Sequence, residues 1–320
     1  MKPNSTVKLA AFGLFLTAST VPAMAADIVI GMPNWTTVQA KAHILKQVIE
    51  DNFGLEVEIQ SGANPIVFEG MDQGSIHIHP EVWMPNQQNL HDTYVNERGT
   101  VVMSPNAAQS RNGMCVLRRT AEELGIDSIT DLSNPDIAAA FDSNGDGQGE
   151  IFIGAPGWAS TPVEQVRARD YGYGELMELQ VLEDAIAYGN LDNAAASGDH
   201  WVGYCSAVHY IFQAHDVVML EEPPHDPDNW VMVQPTDDPE WLEKSSITTG
   251  WRPADLHIHY ARSLQDSHPD VAAFLESVEI GAQQLAALSF AMGVERQDPT
   301  EFAQGWVDEN AEQVASWLVN

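Results

Sequence analysis

Positive charge is what this chain has least of. Its 320 residues carry 14 Lys and Arg against 46 Asp and Glu, a formal net charge of −32 at pH 7. So acidic a surface repels nucleic acid and anionic lipid, which excludes both as partners. No block of consecutive acids stands out, and solubility in salty water is the plain reading of the excess. The same field also draws cationic or zwitterionic solutes inward. Cysteine is rarer still, at Cys115 and Cys205 only. One pair gives no framework, and two buried free thiols are expected in preference to a bridge. The G-x-S-x-G, H-E-x-x-H, P-loop and dinucleotide fingerprints are missing, as is any catalytic triad, so the residues propose no enzyme.

Long apolar runs are also missing beyond the N-terminus, where none approaches the roughly 18 residues needed to span a bilayer. At the N-terminus, Lys2 and Lys8 accompany the apolar-rich AAFGLFLTASTVPA, and Ala23-Met24-Ala25 fits a small-residue cleavage site. Residues 1–25 are therefore expected to be a signal peptide, cut before Ala26 and leaving a soluble protein in a bacterial periplasm. Removal takes away two basic and no acidic residues, so 12 basic face 46 acidic ones, a formal −34.

DIVIGMP (27–33) reads as a buried strand and a turn, and Val38, Ala42, Leu45, Val48 and Ile49 recur at helical spacing over 36–52. LEVEIQ, a short helix over 68–73 and GSIHIHPEV continue a strand–helix rhythm that predicts a parallel sheet with covering helices. Such sheets bind ligands beyond the carboxyl ends of their strands, where Trp35 and Trp83 are expected to lie. GMCVLRR (113–119) and ADLHIHYA (254–261) read as further strands, and IFIGAPGW (151–158) and HWVGYCSAV (200–208) repeat the pattern of a strand and then an aromatic. Asp298-Pro299-Thr300-Glu301 opens a last helix that carries Phe302, Trp306, Val314 and Trp317 along one core-facing side. No internal repeat is evident.

Trp35, Trp83, Trp158 and Tyr204 each follow a predicted strand. Singly, each would be read as core. Together, at the strand ends of two α/β units, they can enclose a soft cation on their electron-rich faces, as quaternary ammonium ligands require. With GMPNWTT, DQGSIHIHPEVWMP, DSNGDGQGEIFIGAPGW, ADLHIHYA and GWVDENAEQVASWL, the mature chain resembles the substrate-binding proteins of ABC importers for glycine betaine, proline betaine and choline. The resemblance implies an α/β, two-lobed periplasmic binding protein of type II, with two crossover hinge strands and a ligand cleft between lobes. Lobe I would hold 26–112 and 252–320, and lobe II 113–251. It implies a monomer that hands a small trimethylated solute to an inner-membrane ABC permease, with no cofactor required. Glycine betaine leads, with trimethylamine N-oxide the alternative and choline or carnitine behind it.

Trp83 and Trp158 match cage tryptophans of that family, and Trp35 an aromatic of its choline-binding branch. Where relatives carry a Trp-x-Pro-aromatic element, this chain has Tyr204 and, second, His209. Donors after the Pro-Gly-Trp tryptophan hold a carboxylate in betaine binders; here they are Ala159, Ser160 and Thr161. Asn86 and Gln87 stand where some relatives place a histidine, and Glu81, if it faces the cleft, favours cationic ligands.

Two other clusters carry metal chemistry on paper. Asp142, Asn144, Asp146, Gln148 and Glu150 space oxygen donors as the first positions of an EF-hand loop, with Ile153 where the last carboxylate would be. A structural calcium ion and an ion-free Asx-turn loop both use this pattern. His77, His79 and Glu81, with His257 and His259, alternate on strands; polar strand faces explain them more simply than the zinc site of a periplasmic hydrolase.

Overall fold

The computed structural model describes residues 26–319, so the expected signal peptide lies outside the described residues. Two five-stranded sheets organise the chain. The strands are β1 (Ile28–Met32), β2 (Val57–Ser61), β3 (Ile78–Met84), β4 (Val101–Ser110), β5 (Asn112–Leu117), β6 (Gly149–Gly154), β7 (Met177–Val181), β8 (Val202–Ser206), β9 (Val217–Met219), the short pair β10 (Trp230–Val231) and β11 (Ser246–Ile247), and β12 (Ala254–Ala261). The first sheet runs β2-β1-β3-β12-β4 and the second β7-β6-β8-β5-β9. In each, the first three strands are parallel and the last two join antiparallel.

Burial explains why these segments are strands. IVIGM is apolar throughout, and so is GEIFIG apart from Glu150, because helices cover both sheet faces. Helix α1 (Thr36–Phe53) buries Val38, Ala42, Leu45, Val48 and Ile49 on one side and ends at Gly54, whose left-handed φ of 66° lets its N–H cap Glu50. Helix α2 (Asn64–Gln73) follows β2. The first sheet packs on these and on C-terminal helices through Leu285, Leu288, Trp306 and Trp317; the second has its own core around Ile151, Val166, Tyr188 and Leu191. The chain passes from the first sheet to the second through Arg111 and returns just before Ala254. These are the two crossovers of a type II binding-protein fold. Among the described residues no helix is long and apolar enough to cross a membrane.

Several expectations need correction. The parallel rhythm covers only three strands of each sheet. GMCVLRR stops being a strand at Leu117, and Arg118 opens a helix. The last helix is two, Pro299–Glu309 and Ala311–Trp317, interrupted at Asn310; the tryptophans still meet, Trp306 stacking on Trp317 at 6.0 Å. A repeat does exist, in architecture: the sheets share strand order, and residues 61–68 and 181–188, which lead into equivalent helices, follow the same sequence of exposed and buried positions.

The cysteines are not free thiols. Cys115 and Cys205 form a disulfide with Cα atoms 5.9 Å apart. They lie on neighbouring antiparallel strands, β5 and β8, a pairing that their separation of 90 residues conceals. Closing so long a loop restricts the unfolded chain and stabilises the fold by about 2–4 kcal/mol. The double variant Cys115→Ala/Cys205→Ala should therefore unfold at lower denaturant by about that free energy. Thiol titration of unreduced, denatured protein should find none; two reactive thiols there would refute the pairing.

Candidate functional site

The two sheets meet at the carboxyl ends of their parallel strands. The turn from β1 into α1 reads Gly31-Met32-Pro33-Asn34-Trp35, and the turn from β6 into the Ser160–Tyr171 helix reads Gly154-Ala155-Pro156-Gly157-Trp158. The leading glycine is required in both. A Cβ on Gly31 would come within 2.5 Å of Val67, and one on Gly154, at φ +127°, within 2.4 Å of the Thr161 hydroxyl. Each G-x-P-x-W turn thus delivers an indole to the start of a helix, Trp35 as the N-cap of α1 and Trp158 one residue before the N-cap Ala159.

Trp83 arrives differently. It was expected just past β3, but it is the penultimate residue of that strand. Two residues earlier, Glu81 is fully buried and its Oε1 accepts three hydrogen bonds: from Trp35 Nε1 at 2.7 Å, Trp83 Nε1 at 3.0 Å and the Thr37 hydroxyl at 2.6 Å. Two indoles distant in sequence are thereby held by one carboxylate. Glu81 does not face the cleft, as a ligand contact would; it stands behind the rings. His79, also fully buried, accepts the Glu81 N–H at Nδ1 and meets Asn64 Oδ1 at 2.9 Å through Nε2. Burial, and then the nearby Lys41, push its imidazole down to about 3, so it is neutral.

From the second sheet come Trp158 and Tyr204, edge to face with centroids 6.1 Å apart. Tyr204 is not beyond its strand but in the middle of β8, paired with Met114. Burial pushes its phenol above the usual range, and Ser160 and Asn86 partly offset this. Asn86 in turn accepts from Asn112 Nδ2 at 3.3 Å, and Asn34 Nδ2 donates to Glu183 at 2.7 Å across the cleft mouth.

These groups enclose a cavity of about 60 Å³, the space of a few waters. Trp35, Trp83, Asn86, Trp158, Ala159, Ser160, Tyr204 and His209 all line it; Glu81 does not. Sequence reasoning missed Asn64, Asp184, Tyr188 and Ser206, which also line it, and no Lys or Arg does. Asn64 and Asp184 each occupy the first position of a helix, α2 and Asp184–Ser197. The repeated G-x-P-x-W was the available signal that one half of the site has a counterpart in the other.

The candidate zinc residues are used elsewhere. His77 Nδ1 accepts from the Val29 N–H at 2.9 Å, His79 is held by Asn64 and Glu81 by the indoles, while His257 Nδ1 meets the Ser104 carbonyl at 3.0 Å and His259 Nε2 meets His91 at 3.2 Å. Among the described residues, the one group of carboxylates or imidazoles close enough for an ion is Asp142, Asp146 and Glu150, with ligand atoms within 4.8 Å of one another. Within that loop Asp142 accepts the N–H groups of Gly145 and Gly147, and Asn144 and Asp146 form successive Asx turns.

Residues 26–309 match the family described as the substrate binding domain of ABC-type glycine betaine transport systems. The chain belongs to that family. It is a substrate-binding protein of the ABC-transporter class and not an enzyme. It is 24% identical over 264 residues, 73% of this chain and 72% of the relative, to the glycine betaine/proline betaine-binding periplasmic protein of Salmonella typhimurium. Among solved structures it is similar to lactococcal OpuAC, closed on glycine betaine, with TM-score 0.70, 16% identity and coverage of 91% of this chain and 99% of that one. A choline-binding protein in complex with choline gives the same TM-score and identity, covering 91% of each chain. At those identities the structural likeness establishes the type II fold.

Because Glu81 satisfies two indole N–H groups and a hydroxyl at once, Glu81→Leu should destabilise the protein by at least ~2 kcal/mol in chemical denaturation. Glu81→Gln, which keeps an acceptor, should lose less. Equal stability of wild type and Glu81→Leu would show that the carboxylate does not hold the rings.

Proposed function

We propose that the protein is the periplasmic receptor of an ABC importer for a small solute with a trimethylated, positively charged head, the chemistry shared by glycine betaine and choline. The observation that carries this reading is the convergence of Trp35, Trp83, Trp158 and Tyr204, two from each sheet, on one cavity without a Lys or Arg in its lining. A methylated ammonium offers no hydrogen-bond donor, so ring faces are its best partners, at about 2 kcal/mol or more per desolvated ring. Glu81 behind two of the rings adds negative potential. Trimethylamine N-oxide has the same head and is the alternative ligand.

Binding works as a clamp. The two crossovers act as the hinge, and rings from both sheets share one guest only when the lobes close. The closed monomer then presents both lobes to the inner-membrane permease. Trp83→Ala and Trp158→Ala should each weaken binding at least tenfold in calorimetry, with folding retained. Unchanged affinity in both variants would end the cage reading.

The Asp142–Glu150 loop is proposed to hold a calcium ion. Three carboxylates converge there, and Glu150, only 8% exposed, keeps Oε1 without a partner while Oε2 accepts the Ser143 N–H. Asp142, Asp146 and Glu150 would supply charged oxygens, and the ion would stiffen the loop ahead of β6. Adding EGTA should lower the melting temperature by several degrees and calcium should restore it; an unchanged melt would leave a loop held by its Asx turns alone.

A further inference from the structure

We propose that Asp184 and His209 read the tail of the ligand, and that the tail they select is a hydroxyl. The inference rests on the cage reading above and specifies the other end of the same cavity. Asp184 is 8% exposed and His209 7%, and both line the cavity. Asp184 Oδ1 and His209 Nε2 are both buried without a hydrogen-bond partner, and they stand 3.6 Å apart, too far to satisfy each other directly.

A comparable pair in the other lobe, with its histidine inside β3 where His209 lies three residues past β8, is closed. There Asn64, at the same helix position as Asp184, meets the imidazole of His79 at 2.9 Å. In the second lobe the contact is open, and both groups facing the gap are polar. Tyr188 and Tyr210 pack on the His209 ring at 4.1 and 4.3 Å, which fixes its plane. The Ile211 N–H approaches His209 Nδ1 at 3.5 Å, which makes Nδ1 the acceptor and leaves the proton on Nε2. The Tyr188 hydroxyl donates to the Tyr204 carbonyl and is not free to serve Asp184.

The opening therefore presents one acceptor and one donor. A hydroxyl answers both, donating to Asp184 and accepting from His209. A carboxylate tail only accepts, and would bring a second negative charge against Asp184. Ser160, the expected carboxylate grip, lines the same cavity beside Tyr204. The ligand class is thus a trimethylammonium cation carrying an alcohol.

The test is calorimetry on the mature protein with choline, glycine betaine and tetramethylammonium. Choline should bind at least tenfold tighter than either other probe. Asp184→Asn should lower the ratio of choline to glycine betaine affinity at least tenfold. His209→Leu should lower the ratio of choline to tetramethylammonium affinity by a similar factor, while His209→Gln, which keeps a donor in place, should hold it within about threefold. Glycine betaine binding as tightly as choline, or ratios unchanged in folded Asp184→Asn and His209→Leu, would overturn the inference and leave the cage standing. Failure of all three probes to bind would overturn the cage, and this inference with it.

Discussion

An aromatic box has to stay open when nothing is in it. Indole rings exposed to water tend to collapse onto one another, and a collapsed cage would have to be rebuilt at each binding event. In this protein the constraint is met by a single buried carboxylate. Glu81 takes the N–H of Trp35 and the N–H of Trp83, and so fixes the planes of two rings, one from the turn after β1 and one from β3. Because the acceptor is ionic and shielded from solvent, these bonds are stronger than neutral ones would be. The same charge lies behind the ring faces on which a cation would sit. Ring geometry and electrostatic preference therefore share one cause.

In the second lobe the buried carboxylate of Glu164 holds the indole of Trp251 and not that of the cage residue Trp158. Trp158 Nε1 is buried without a partner, and its orientation comes from packing, edge to face against Phe152 and Tyr204. The lobes share a plan, the same strand order and the same G-x-P-x-W turn, yet they have diverged in which polar groups are satisfied. The first lobe closes its Asn64–His79 pair and supplies a rigid wall. The second leaves Asp184 and His209 open, as a group awaiting a ligand would be. Unsatisfied buried polar atoms are costly, and their concentration on one side of the cavity is the ground for the selectivity proposed there.

Much of this was legible in the sequence. Buried apolar runs located the inner strands, helical spacing located α1 to within a residue, and the strand-end aromatics located the cavity wall. Glu81 was also noticed, on the condition that it faced the cleft, and it stands behind the rings instead; alternation along a strand says which face a residue shares and not whether that face is open or covered. Trp83 and Tyr204 were placed beyond their strands; proline after Met84 suggested an earlier end than the ladder to β12 allows. Asp184 was invisible, since an acid at the start of a helix is ordinary capping and nothing local distinguishes one aimed into a cavity.

What the sequence settled alone was the two-unit α/β plan, the acidic surface and the presence of aromatics where strands give way to helices. These follow from periodicity, composition and turn chemistry, all of which act over a few residues. The tertiary structure decided what depends on groups distant along the chain arriving within bonding distance. It paired Cys115 with Cys205, brought Glu81 beneath Trp35, and left Asp184 and His209 facing each other across a gap. Hydrogen bonds and disulfides act over a few ångströms, and only the folded chain fixes separations of that size.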